Sequence, residues 1–250
     1  MMIKKLFLGS LLLTSSLYAG TINIAVAANV SYAIEELKEE FNKLNPDTKV
    51  NVTLGSSGKL TAQIRNGAPY QLFMAANMKF PESLYEDGVA VTRPLIYAQG
   101  SLAYFGNKEY DFSKGMKLIQ DDKINKIAVA NPKTAPYGKA AIEAITNAGI
   151  YDSVESKFVY AESISQTVSY AVTAADIGFI AKSSLYSTTM KKYKKGVNWS
   201  DVNPKLYTPI NQGIVIVKNG EANNEVAAFY AFMLSTKAKK ILNDYGYLVP

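Results

Sequence analysis

The chain has 250 residues, 27 Lys and Arg against 21 Asp and Glu, a formal charge of +6, 48% apolar residues, and neither Cys nor His. That length and balance suit one large or two modest globular domains, and the missing residue types exclude disulfides, thiol chemistry, His-ligated metals and His-based acid–base catalysis, hence most hydrolase mechanisms. The basic residues are scattered apart from Lys191-Lys192-Tyr193-Lys194-Lys195, which reads as a solvated loop or helix end, so nucleic acid is not an expected partner.

Residues 1–19 have the form of a secretory signal peptide, with Lys4 and Lys5 ahead of an apolar run and Leu17-Tyr18-Ala19 as a cleavage site before Gly20. Because the formal charge includes those two lysines, the mature chain keeps +4. The signal predicts a periplasmic protein, with no Cys at the junction to carry a lipid anchor. Ile22, Ile24 and Val26 then alternate as a strand, Ala27-Ala28-Asn29 turns, and Ile34, Leu37, Phe41 and Leu44 recur at helical spacing up to Asn45-Pro46. Val50, Val52 and Leu54 mark a second strand; Gly55 to Gly58 make a small-residue turn; Leu60 and Ile64 stripe a short helix that Gly67 closes, with Pro69 beyond it. Residues 72–76 form a third strand, and Pro81 opens a helix that closes at Gly88.

From about Tyr97 the pattern begins again. Strands are predicted at 102–105, 126–130, 158–161, 177–181 and 213–217. Helices are predicted at 139–147, after Ser163 as N-cap, at 223–234 and at 237–244, while 199–209 reads as irregular. Strand-to-helix alternation of this kind argues for parallel sheet in an α/β fold, with ligands outside the carboxyl ends of the strands. Asn29 and Ser57 lie at such ends in the first half, and Tyr137 and Ile164 at helix starts in the second.

The stretch 53–77 organises the reading. Ser56 and Ser57 stand where a helix begins, beside N–H groups that lack intrahelical partners and carry partial positive charge, a place suited to anions. A phosphate-binding P-loop is excluded, because Thr53 stands where its first Gly belongs and Leu60 follows Lys59. Ser56 and Lys59 match the Ser-x-x-Lys of penicillin-recognising hydrolases, but Ser200-Asp201-Val202 and Lys133-Thr134-Ala135 fail the companion motifs and fall in the wrong order. The plainest alternative is that Ser57 serves only as an N-cap.

Taken together, Ala27-Ala28-Asn29, Gly55-Ser56-Ser57-Gly58-Lys59-Leu60, Asn66-Gly67-Ala68-Pro69, Leu72-Phe73 with Ala76-Asn77, Asn131-Pro132 with Ala135-Pro136-Tyr137-Gly138, and Ile177-Gly178-Phe179 resemble the ModA family of periplasmic molybdate-binding proteins, in order and over nearly the whole mature chain. The resemblance implies a type II periplasmic binding fold with two α/β lobes around a ligand cleft, drawn as residues 20–97 plus 210–250 and residues 98–209. It further implies a monomeric receptor, not an enzyme, that needs no cofactor, binds molybdate or tungstate, and delivers it to the membrane permease of an ABC importer. Another tetrahedral oxyanion, sulfate or phosphate, is the alternative ligand. Carried over, the metal-oxyanion contacts fall on Asn29, Ser57, the backbone of Tyr137 and Ile164, and the backbone of Ala28. The sequence departs from many members in having Asn at 29, Gln71 and Asn77 where Asp is common, and Ala181 near a contacting Tyr, and these positions bear on ligand preference and coordination number.

Overall fold

The computed structural model describes residues 20–250, so the expected signal peptide, residues 1–19, lies outside the described residues. The strands in chain order are β1 (Gly20–Ala27), β2 (Thr48–Gly55), β3 (Leu72–Met74), β4 (Leu95–Gly100), β5 (Leu102–Phe105), β6 (Ile127–Ala130), β7 (Phe158–Ala161), β8 (Ile177–Ala181), β9 (Trp199–Asp201) and β10 (Ile210–Ile216). They form two five-stranded sheets, ordered β2-β1-β3-β10-β4 and β7-β6-β8-β5-β9. Each sheet has a parallel trio, as the alternation predicts, but β10 runs antiparallel to β3 and β4, and β5 antiparallel to β8 and β9. The expected parallel sheets are therefore corrected to mixed ones. The reason is that β5 and β10 are entered by passage from the other sheet, and a strand reached that way is not held to the helical crossover that makes neighbours parallel.

Passage occurs at two places, between β4 and β5 and between β9 and β10. β4 stays with the first sheet as far as Gly100, beyond the division expected after residue 97, because Ala98, Gln99 and Gly100 pair with Gln212, Asn211 and Ile210. The segment read as irregular, 199–209, contains β9, whose short ladder to β5 has too few residues to show periodicity.

The helices are α1 (Ile34–Asn42), α2 (Ser57–Arg65), α3 (Lys79–Glu86), α4 (Pro136–Asn147), α5 (Tyr151–Val154), α6 (Ile164–Thr173), α7 (Asn224–Met233) and α8 (Thr236–Asp244). A 3-10 turn, Ala28–Tyr32, stands between β1 and α1. Leu44 falls outside α1 and is 77% exposed, so it does not extend the buried stripe of Ile34, Leu37 and Phe41. Pro46 explains this, since the residue before a proline is driven from helical geometry and the helix closes short of it. α4 begins at Pro136 instead of 139; proline fits the first helical position, where an N–H has no partner in any case. Gly67 and Gly149 end α2 and α4 in the left-handed region, at φ of +82° and +70°.

Both faces of each sheet are covered. On the first, Ile22, Ile24 and Val26 pack with Leu37, Phe41 and Phe229 on one side, the rings of Phe41 and Phe229 meeting edge-on at 5.0 Å, while Ala25, Leu60, Phe73, Leu84 and Val215 fill the other. On the second, Ile127, Val129, Ala141, Ala144 and Phe179 oppose Ala103, Phe105, Val168 and Ile180. Such two-sided burial is why these strands read as near-continuous apolar runs. α4 sits so close to β6 that a Cβ on Gly138 would lie 1.9 Å from the carbonyl oxygen of Ala130. Gly138→Ala should therefore destabilise the protein by at least about 2 kcal/mol, since backbone cannot yield as a side chain does. Urea denaturation measures this, and an unchanged midpoint would contradict the tight seating of α4.

Candidate ligand-binding cleft

The register of β1 and β2 ends with Ala27 beside Gly55, so both strands finish together and each turns at once into a helical start, Ala28 on one side and Ser57 on the other. In the second sheet β6 and β7 finish with Ala130 beside Ala161 and lead to the starts of α4 and α6. These four starts meet around one small cavity lined by Ala27, Ala28, Asn29, Gly55, Ser56, Ser57, Ala76, Ala135, Pro136, Tyr137 and Ile164. All five residues singled out from the sequence, Ala28, Asn29, Ser57, Tyr137 and Ile164, are thus brought together, none more than 4% exposed. No lining residue is charged.

The donors at this point are unusually free. Ser57 is the first residue of α2, and the N-cap position belongs to Ser56, whose side chain makes no cap bond and whose hydroxyl donates to Glu162 Oε1 at 3.2 Å. Reading Ser57 as an N-cap is therefore set aside. Its Oγ accepts from the Ala76 N–H at 2.9 Å, which leaves its own proton to donate elsewhere. Pro136 opens α4 without a donor, making the N–H of Tyr137 the first of that helix; Ser163 Oγ accepts from Gln166 N–H and not from Ile164. Among the described residues neither the Tyr137 nor the Ile164 N–H has a protein acceptor. Helix starts whose N–H groups converge on an uncharged cavity favour negative charge.

A buried polar layer lies behind Asn29. Its Nδ2 donates to Gln212 Oε1 at 2.9 Å and to Tyr247 Oη at 3.0 Å, while its Oδ1 has no partner. Gln212 Oε1 also accepts from Tyr97 Oη at 2.8 Å, and Gln212 Nε2 donates to Tyr137 Oη at 3.2 Å. The carbonyl of Asn29 accepts from Tyr247 at 2.8 Å and from Ser183 Oγ at 3.1 Å. Burial pushes the hydroxyls of Tyr97, Tyr137 and Tyr247 up, so all three remain protonated donors. Gly100 makes room for this layer, since a Cβ there would lie 1.9 Å from Tyr137 Oη and 2.7 Å from Gln212 Nε2. Sequence reasoning missed Gln212, Tyr97, Tyr247 and Ser183. The available signal was Gln212 itself, a polar residue two places from Ile210, hence on the same buried face of the strand.

Across the mouth of the cavity the Gly58 N–H donates to the Thr134 carbonyl at 2.9 Å, and Glu162 receives both Ser56 and, at 3.6 Å, Lys59. Ser56 and Lys59 each face Glu162 instead of one another. A Ser-x-x-Lys nucleophile needs its lysine within reach of the serine proton, so the geometry removes the hydrolase reading. The positions where the sequence departs from many ModA members lie in different places: Ala181 is buried at the end of β8, Gln71 accepts from the Asn23 N–H, and Asn77 accepts from the Phe80 N–H. A larger cavity of about 280 Å³ opens beside Asn77, Lys139 and Thr208, outside the ring of helix starts, and its Glu143 carboxylate is taken by Thr208. Among the described residues no cluster of Asp or Glu is arranged to hold a bare metal ion.

Residues 22–248 match the family described as bacterial extracellular solute-binding protein. The molybdate-binding protein ModA of Azotobacter vinelandii is 33% identical over 243 residues, covering 96% of this chain and 94% of the relative. That of Rhodobacter capsulatus is 34% identical over 232 residues, covering 92% and 89%. The solved structure of the Azotobacter vinelandii periplasmic molybdate-binding protein superposes with a TM-score of 0.84 at 31% identity, covering 92% of this chain and 99% of that one.

The contacts at the mouth generate their own expectation. Glu162→Gln should shift stability by no more than about 1 kcal/mol, because Lys59 and Glu162 are each about half exposed. The same change should let the two sheets part more readily when no ligand is present, seen as a larger radius of gyration in solution scattering. An unchanged radius would mean that Glu162 holds nothing closed.

Proposed function

The chain belongs to the ModA family of bacterial extracellular solute-binding proteins, and on that footing we propose that its cleft captures molybdate or tungstate for an ABC importer. It is a binding protein and not an enzyme, its partner is the importer's membrane permease, and membership in an extracellular family puts it outside the cytoplasmic membrane. We infer that residues 1–19 are its signal peptide, the periplasm its compartment, and the monomer its working state. The reading takes residues 20–97 plus 210–250 and residues 98–209 as the lobes, joined where the chain passes from β4 to β5 and from β9 to β10.

One observation carries the proposal: Ala28, Asn29, Ser57, Tyr137 and Ile164 line a single uncharged cavity at four helical starts. In this reading Ser57 donates its hydroxyl, Asn29 its side-chain amide, and Ala28, Tyr137 and Ile164 their main-chain N–H groups. A hydrogen bond to a charged group contributes about 1.5–3 kcal/mol net, so a handful of them passes the roughly 8 kcal/mol that marks micromolar affinity. Neutral donors cannot tell sulfate, molybdate and tungstate apart by charge. Cavity size must do so.

Titration of dialysed protein with molybdate, tungstate, sulfate and phosphate tests the assignment. Molybdate at a thousandfold excess over its dissociation constant should stabilise the fold by about 4 kcal/mol and raise the melting temperature accordingly. An equal rise with sulfate would move the assignment to another tetrahedral oxyanion. Ser57→Ala should weaken molybdate binding by about 1.5–3 kcal/mol. Ser57→Asp, which sets a carboxylate against a dianion, should abolish binding in a protein that still folds; normal binding by that variant would place the site elsewhere.

A further inference from the structure

The buried layer behind Asn29 contains an imbalance that points to a role for Gln212. Asn29 is fully buried and lines the cavity, both of its recorded side-chain bonds use Nδ2, and Oδ1 is left without a donor. An acceptor of this kind on the wall of a cavity for dianions is the wrong group. The nitrogen and oxygen of a carboxamide exchange places when the group turns by half a rotation, so the same atom positions admit a second pattern of bonds. With both amides turned, Gln212 Nε2 donates to Asn29 Oδ1 and to Tyr97 Oη, and Gln212 Oε1 accepts the Tyr137 hydroxyl proton. Tyr247 then donates to Asn29 Oδ1, while Ser183 Oγ, already 3.1 Å from the Asn29 carbonyl, continues to serve it. That arrangement gives Asn29 Oδ1 its donors and frees Nδ2 to face the cavity. It leaves Nδ2 in need of an acceptor, which an oxyanion provides.

We propose that Gln212 is the positioning residue that aims the Asn29 amide, and that the two amides turn together when an oxyanion binds, so that the cavity presents hydrogen-bond donors only. The inference rests on the reading of the cleft as an oxyanion site and deepens it by naming what sets its preference. A wall of donors suits an oxyanion that carries no proton, such as molybdate, tungstate or sulfate. The unturned arrangement, with Oδ1 facing inward, suits one that brings a proton of its own, such as hydrogen phosphate. Gln212 occupies the place to couple these choices, since it touches Asn29 in the first sheet's site, Tyr97 on β4 and Tyr137 at the start of α4. The ladder between β10 and β4 shifts register at this point, Gln212 pairing with Ala98 and Gly213 with Ile96, so Tyr97 is the extra residue, and irregularities of this kind re-aim side chains.

Two measurements test this. In wild-type protein the side-chain amide protons of Gln212 should show NOEs to the Tyr137 ring without ligand and to the Tyr97 ring with molybdate; NOEs to Tyr137 in both states would overturn the proposal. Gln212→Glu leaves only acceptors at the hub, so it should hold Asn29 Nδ2 toward the hub and away from the cavity, and weaken molybdate binding by about tenfold or more. Added negative charge alone would lower molybdate and hydrogen phosphate alike, so the decisive reading in mildly alkaline buffer is their ratio, which should fall in Gln212→Glu and fall less in Gln212→Met. Wild-type affinity in Gln212→Glu, or an unchanged ratio, would refute the role of Gln212 while leaving the oxyanion assignment intact. Failure of the wild-type protein to bind molybdate would overturn both.

Discussion

A buried backbone N–H without an acceptor costs about 1–3 kcal/mol, and this fold gathers several of them at one point. Several features near the cleft leave them unpaired, although the Gly58 N–H of α2 is taken by the Thr134 carbonyl. Ser56 stands at the N-cap of α2 but makes no side-chain cap bond; Ser163 caps one residue of α6 and spares Ile164; Pro136 opens α4 without a competing donor. The parallel trios in the two sheets make the convergence possible, because parallel strands finish at the same edge and deliver their helix starts side by side.

The neutrality of the cavity has consequences for selectivity. A lysine or arginine in the wall would attract any anion of sufficient charge, whereas fixed dipoles and one hydroxyl demand that several ligand oxygens be in place at once. Lys59 stands at the mouth, half exposed and shared with Glu162, where solvent screens it. Chain-wide lack of His and the upward-shifted tyrosines mean that no side chain on the cavity wall or directly behind it changes charge near neutral pH. The proton content of the ligand, and not of the protein, is then the variable to which the site responds.

Much of this was legible in the residues. The alternation of Ile22, Ile24 and Val26, the Gly-Ser-Ser-Gly turn, Ser163 as a cap and the closing glycines all point to the elements where they occur, because each is a local signal. That the residues now lining the cavity would come together was legible for the same reason, since they are attached to strand ends and helix starts. What escaped was non-local. The antiparallel entry of β5 and β10 depends on which sheet the chain passes to, β9 is too short for any period, and Leu44 sits at helical spacing in a segment that Pro46 keeps out of the helix. Gln212, Tyr97 and Tyr247 meet Asn29 from far along the chain, and no spacing rule connects them.

β10 lies between β3 and β4 in the first sheet, yet it is made after the whole of the second. The second sheet, by contrast, runs without interruption from Leu102 to Asp201. A chain that folds from its N-terminus can therefore complete the second sheet while the first still lacks its inner strand, leaving the facing edges of β3 and β4 unpaired until residues 210–216 arrive. The polar layer behind Asn29 takes Gln212 from β10 and Tyr247 from beyond α8. That layer is thus closed only after both sheets have been made, so the last-made strand of the first sheet completes the backing of a cavity whose four helix starts are all in place before it.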